Sequence, residues 1–267
     1  MMRFVCFGSG SSGNCYLLKT ETDGLLIDTG IGLRILKKYF QNYGLQLTDV
    51  KHILITHDHA DHVKSVGSFS CDYHVPVYAT RDVLKGIDEN YCVRRKVMPI
   101  NAHAIVCGST FDVGEFTVTC FSVPHDSHGC VGYSITHGSV TFCLITDAGY
   151  VTDEMKGFIQ RADYLVIEAN HDEEMLRGGN YPQYLKDRVG GLNGHLSNKS
   201  CAEALAENAT PRLRHVWLCH LSEENNHPEL ARKTVEMTLR SYGIVPGKDF
   251  LLDVLKRNSP SVMYELT

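Results

Sequence analysis

Apolar residues recur along this chain in short alternating or continuous runs bounded by turn residues, the pattern of half-buried and buried strands. Arg3–Phe7, Tyr16–Lys19 and Leu25–Ile27 read as strands, and the turn Gly8-Ser9-Gly10-Ser11-Ser12-Gly13-Asn14 separates the first two. A helical spacing follows, with Ile31, Ile35, Leu36 and Phe40 on one face and Lys37 and Lys38 on the other, stopping at Gly44. The strand His52–Thr56 then runs into a cluster of His and Asp. Further strands are predicted at Phe116–Phe121, Val131–Thr136, Val140–Ile145, Tyr164–Ile167 and His215–Leu218, with closing strands near Phe250–Val254 and Val262–Glu265. Helices are predicted from Ser197 to about Glu207 and from about Pro228 to Ser241. Strand-rich halves joined to helices suggest an α/β fold of two packed sheets with helices outside, and the pattern alone leaves several α/β architectures open.

Composition narrows the class. At 267 residues, 43% hydrophobic and 21% charged, the chain is an ordinary globular protein, and no linker or repeat breaks it, so a single domain over 1–267 is expected. The net charge of −5 excludes a uniformly basic nucleic-acid coat but not a local basic patch. No apolar run approaches the ~20 residues that span a bilayer, and Met1–Val5 leads straight into strand-like sequence without a secretory segment. The 10 cysteines sit singly, without a C-x-x-C pair, as reduced thiols of a cytoplasmic protein do. The glycine-rich turn superficially resembles a dinucleotide loop, but that mechanism needs a helix next, and Cys15–Lys19 is strand-like. A tight hairpin turn lining a site is the better reading.

The strongest chemical signal is Thr56-His57-Asp58-His59-Ala60-Asp61-His62, which sets four metal-ligating side chains directly behind an apolar strand. A strand end delivers side chains to one rim of a sheet. The turn lets His57 and His59 point one way and Asp61 and His62 another, which suits two closely spaced ions able to clamp the oxygens of a hydrolytic displacement.

His57-x-His59-x-Asp61-His62 resembles the signature of the metallo-β-lactamase fold, and the resemblance implies a four-layer αββα sandwich. Leu25-Leu26-Ile27-Asp28-Thr29-Gly30 is similar to that family's first motif, which would make Asp28 a brace for the ligand loop; a turn or helix-capping carboxylate is the alternative. Ser122-Val123-Pro124-His125-Asp126 matches the strand-end His of the third motif, with His128 as the competitor to His125. Thr146-Asp147-Ala148-Gly149 matches the bridging Asp, and Leu218-Cys219-His220-Leu221-Ser222 the final His. The implied set is His57, His59, His125 and Asp147 on one ion, and Asp61, His62, Asp147 and His220 on the other. Zinc is the expected metal, with manganese or iron compatible with the same donors. His52, His74, His103, His137 and His215 have no such match and read as surface or structural residues.

The fold alone fixes no substrate. Glu168, at the end of Tyr164–Ile167, and His195, just before a helix, resemble the Glu–His relay of RNase Z relatives. There a carboxylate-held His serves as general acid; a loop-anchoring hydrogen bond is the structural alternative. Glu168-Ala169-Asn170-His171, Gly194-His195-Leu196-Ser197-Asn198, His220-Leu221-Ser222-Glu223-Glu224-Asn225-Asn226 and the Gly8–Asn14 turn resemble the YycJ/WalJ (VicX) group across nearly the whole chain. That resemblance implies a 5′-to-3′ exonuclease on double-stranded DNA, with Asp61, Glu168 and His195 as catalytic residues. It also implies a proposed link to mismatch repair, with repair proteins as candidate partners. Hydrolysis of a lactone or thioester, or a metal-holding module without catalysis, are the competing readings. Candidate phosphate-holding residues are scattered: Arg94-Arg95-Lys96, Arg177, Lys186-Asp187-Arg188, Arg212 and Arg214. Tyr181 or Tyr184 is a candidate for stacking on a terminal base.

Overall fold

A computed structural model describes residues 1–267, and the chain divides into two compact units. The first comprises Met1–Cys120, Ser127–Val131 and Lys256–Thr267; the second comprises Phe121–Asp126 and Gly132–Leu255.

Unit 1 begins with β1 (Met2–Gly8), β2 (Cys15–Lys19), β3 (Gly24–Ile27), α1 (Leu33–Asn42), β4 (His52–Leu54), α2 (Ala60–Val63) and α3 (Val66–Asp72). It continues through β5 (Val77–Thr80), α4 (Arg81–Glu89), β6 (Ala102–Ile105), β7 (Thr110–Val113) and β8 (Phe116–Ser122), the last of which crosses the boundary. Unit 2 holds β9 (Val131–His137, from Gly132 on), β10 (Val140–Ile145), α5 (Asp153–Arg161), β11 (Tyr164–Glu168), α6 (Glu173–Gly178) and α7 (Gln183–Val189). It ends with α8 (Asn198–Asn208), β12 (His215–Cys219), α9 (Pro228–Ser241) and β13 (Leu251–Val254), after which β14 (Tyr264–Leu266) returns to unit 1.

The unit 1 sheet has the order β14-β1-β2-β3-β4-β5-β6. Its β14-β1-β2-β3 part is antiparallel and its β3-β4-β5-β6 part parallel. The inner parallel strands β3, β4 and β5 are too short to alternate and are buried throughout or nearly so, as expected where a sheet is covered, whereas the edge strand β6 is half-buried to exposed. Phe7 and Phe40 stack at 4.6 Å and anchor α1 to the sheet. In unit 2, β9 and β10 pair antiparallel and β10, β11, β12 and β13 run parallel. Phe142, Tyr164 and His215 fall on one rung, and Ile145, Ile167 and Leu218 on another. The ends of β10, β11 and β12 are thereby level, and the residues after them emerge together.

Two sheets flanked by helices agree with the expected fold class, and most strands match to within two residues. The differences have local causes. The strand predicted to Thr56 stops at Leu54 because Thr56 turns its N–H to the Asp28 carboxylate (2.9 Å). Ile35 is 48% exposed, since the buried stripe of α1 is Leu36 and Phe40, one turn apart. The strands β5, β6 and β7 are four residues long and give periodicity little to register, whereas α4 and α5 bury Val83 and Ile87, and Met155, Phe158 and Ile159, at helical spacing, although neither helix is among those predicted. No helix is long and apolar enough to cross a membrane.

In unit 2, Phe121 is fully buried and stacks on Phe158 at 4.1 Å. Phe121→Ala is expected to cost about 3–5 kcal/mol, read as a lower midpoint in urea unfolding. A midpoint shift below about 1 kcal/mol in equivalent stability would contradict this packing role.

Candidate active site

His57, His59, Asp61 and His62 follow β4 and enter α2. Their positions are set from below by Asp28, a fully buried carboxylate at the end of β3 with φ 59°. Asp28 Oδ1 accepts the Thr56 N–H (2.9 Å), and Oδ2 accepts the Thr56 hydroxyl (2.9 Å) and faces His62 Nδ1 at 2.8 Å. Because the Thr56 hydroxyl donates to Asp28, its oxygen accepts from His57 Nδ1, 3.0 Å away. One carboxylate thus holds the proton of both rings on Nδ1 and keeps each Nε2 unprotonated, the state a metal ligand needs. The role expected of Asp28 is the one seen.

The glycine-rich turn closes this loop from the other side. Asn14 Oδ1 accepts the Gly10 N–H (2.9 Å), so its amide NH2 faces His62 Nε2 (2.9 Å) and Asp61 Oδ2 (3.3 Å). Asn14 N–H also donates to the Asp61 carbonyl (2.8 Å), and Gly30 N–H donates to the Asn14 carbonyl (2.9 Å). A Cβ on Gly30 would lie 1.6 Å from the Asp61 carbonyl oxygen, so the loop can seat there only over glycine. Asn14 and Thr56 are site residues that sequence reasoning left unassigned. Asp58, between the two predicted ligands, instead accepts a hydrogen bond from Ser127.

In unit 2 the level strand ends bring Asp147, Glu168, His195 and His220 together, with one ligand-capable atom of each within 4.8 Å of the others. Asp147 and His220 both adopt φ 53°, a strained backbone that aims side chains from strand ends. Glu168 is fully buried at the end of β11. Its Oε1 accepts from His195 Nδ1 (2.8 Å) and His220 Nδ1 (3.0 Å), and its Oε2 from the N–H groups of Ala148 (2.8 Å) and Leu196 (3.2 Å). Burial alone would raise this carboxyl, but the facing His195 charge and the two imidazole hydrogen bonds hold it at about 2. Burial alone would lower His195; the Glu168 carboxylate more than offsets it and raises the imidazole.

His125 is buried, and its Nδ1 donates to the Gly194 carbonyl (3.0 Å), leaving Nε2 3.9 Å from Asp147 Oδ1. His128 is exposed, which favours His125 as the ligand. Beside His195 opens a pocket of about 330 Å³ lined by His171, Arg177, Gln183, Lys186 and Ser197 among others. The segment carrying Arg177 and Lys186 therefore reaches the site, but neither Tyr181 nor Tyr184 lines the pocket. Arg212 is held by Asp163 (3.0 Å) and Arg188 by Asp126, which takes both from the phosphate candidates. His52 sits against Asp23, and His215 stacks on Trp217 and pairs with Asp253, structural roles as expected.

These donors fit a divalent cation. Unprotonated imidazole nitrogens are presented beside carboxylates, and the opposite ring nitrogens are fixed by buried acceptors, the arrangement metal-binding histidines use. Thr56→Val keeps the side-chain shape and removes the hydroxyl that orders His57 against Asp28. It should weaken metal binding about 10–100-fold, measured by competition with a chromogenic chelator. Unchanged affinity would refute the relay from Asp28 through Thr56.

A family model described as a beta-lactamase superfamily domain matches residues 24–220. The chain is 36% identical over 252 residues to the exodeoxyribonuclease YycJ of Bacillus anthracis, covering 93% of each chain. It is also 36% identical over 248 residues to the exodeoxyribonuclease WalJ of Streptococcus pneumoniae, covering 93% of this chain and 92% of that one. Among solved structures, the metallo-β-lactamase fold protein YhfI of Bacillus subtilis superposes with a TM-score of 0.72 at 18% identity, over 99% of this chain and 100% of its own. With the strand order and the braced histidines above, these similarities place the chain in the metallo-β-lactamase superfamily of metal-dependent hydrolases, beside YycJ and WalJ.

Proposed function

We propose that the chain is a metal-dependent phosphodiesterase that degrades double-stranded DNA from a 5′ end in the 5′-to-3′ direction, working in the cytoplasm as one catalytic domain and serving mismatch repair. The observation that carries the hydrolytic chemistry is the pair of Glu168 and His195. A buried carboxylate at 2.8 Å from an imidazole whose side chain is 15% exposed is more than metal retention requires. Similarity to exodeoxyribonucleases over 93% of the chain supports DNA as the substrate.

His57, His59, Asp61, His62, His125, Asp147 and His220 would hold two divalent ions, zinc by the nitrogen-rich donor set, with manganese or iron compatible. When bound, such ions stabilise negative charge developing on phosphoryl oxygens. Glu168 fixes the His195 proton on Nδ1 in the neutral ring and favours the doubly protonated ring, which can give the Nε2 proton to the departing 3′ oxygen. The same carboxylate orients His220, so it braces a ligand and the proton donor together. Asp61, 23% exposed at its side chain and tied by its backbone to Asn14, orients the attacking water as well as ligating.

His195→Ala should lower kcat on duplex DNA by roughly 10²–10⁴-fold while metal content stays unchanged. A nitrophenyl phosphodiester, whose leaving group scarcely needs a proton, should lose far less. Equal loss on both substrates with metal retained would make His195 a positioning residue instead. A parallel panel of phosphodiester, thioester and lactone decides the substrate class, and turnover of the thioester or lactone alone would overturn the nuclease reading. Chelation should abolish activity, and re-addition of zinc or manganese should restore it.

A further inference from the structure

Unit 1 carries a groove of about 630 Å³ that none of the expected metal ligands lines. Lys64, Ser68, Tyr91, Arg94 and Arg95 line it, and no lining residue is acidic. Lys64 lies two residues beyond the buried His62, and Gly32, which also lines the groove, lies two beyond Gly30 at the Asp61 carbonyl, so the groove wall continues the backbone of the ligand loop.

The backbone that carries the arginines is laid tightly against α3. A Cβ on Gly67 would come within 1.5 Å of the Arg95 carbonyl oxygen. Met98 N–H donates to Ser70 Oγ (2.9 Å), and the Cys71 thiol donates to the Lys96 carbonyl (3.4 Å). The basic residues here have different duties. Lys96 donates to the carbonyls of Ile87 (3.1 Å) and Asn90 (2.8 Å) and fastens the end of α4. Arg95 turns to Asp72 (2.6 Å). Lys64 and Arg94 are exposed and have no carboxylate partner in the chain. Tyr91, 92% exposed, stands beside them.

Unneutralised cations on a rigid groove, within a chain of net charge −5, make a local positive field. Cations along a groove with a phenol hydroxyl as a further donor are what backbone-holding surfaces combine, and each phosphate neutralised there releases condensed counterions. An acidic protein partner would also be attracted, but continuity with the ligand loop favours the substrate itself. We propose that this groove holds the sugar-phosphate backbone of duplex DNA outside the reacting phosphate. This rests on the nuclease reading and adds to it where the flanking strand runs.

The test is the double variant Lys64→Ala/Arg94→Ala, measured with metal loaded on a 5′-phosphorylated duplex and on bis-p-nitrophenyl phosphate, between about 50 and 200 mM salt. The slope of log(1/KM) for DNA against log salt should become shallower by about 2, roughly 0.9 per lost phosphate contact. The kcat on DNA and turnover of the small diester should match the wild type. An unchanged slope and KM on DNA in the variant would overturn the groove while leaving the nuclease reading intact. A wild-type protein that turns over the small diester but neither binds nor cleaves DNA would overturn the nuclease reading, and the groove with it.

Discussion

A carboxylate taken out of water and left without partners is costly enough that a protein neutralises it or surrounds it with donors. Asp28 in unit 1 and Glu168 in unit 2, both fully buried, are each solved by donors, and in each unit those donors include the candidate site residues. Around Asp28 they are Thr56 and His62; around Glu168 they are His195, His220 and two backbone N–H groups. Satisfying each carboxylate fixes the tautomer of the rings that face it. Removing either would leave imidazoles free to rotate and to exchange protons between their nitrogens, so the chemistry depends on a requirement of folding.

The second constraint is register. Parallel pairing brings Ile145, Ile167 and Leu218 level, and Asp147, Glu168 and His220 follow within two residues. Three candidate residues, Asp28 in unit 1 and Asp147 and His220 in unit 2, leave their strands in the left-handed region, where a non-glycine residue costs about 1–3 kcal/mol. The ladders beneath hold the turns in place against that strain. Side chains are therefore aimed by short, sharp exits from rigid strands rather than by long loops.

Much of this could be read from the residues. The dense His57–His62 run after an apolar strand, and the polar residues that end later apolar runs at Asp147, Glu168 and His220, carry their own signal, because strand ends bring polar side chains together at one rim of a sheet. Thr56 carried none, and for Asn14 only its turn did, as one lining a site. Asn14 meets His62 across 48 positions, and nothing local to either reveals the contact. The division of the basic residues was equally hidden, since Arg94 and Lys96 sit two apart and only packing against α3 and α4 makes one free and the other a fastener. The strands β5 and β6 escaped because four residues give periodicity too little to register.

The pairing of β1 with β14 has a consequence for biosynthesis. Phe4 stacks on Tyr264, and Cys6 N–H donates to Ser261 Oγ across 255 residues. At about 5–20 residues per second, that separation is roughly 13–50 s of translation. Throughout that interval β1 can pair with β2 but presents its other edge bare, the kind of template on which nascent chains aggregate. The first unit to begin folding is thus the last to finish, and unit 2 is made entirely within the wait.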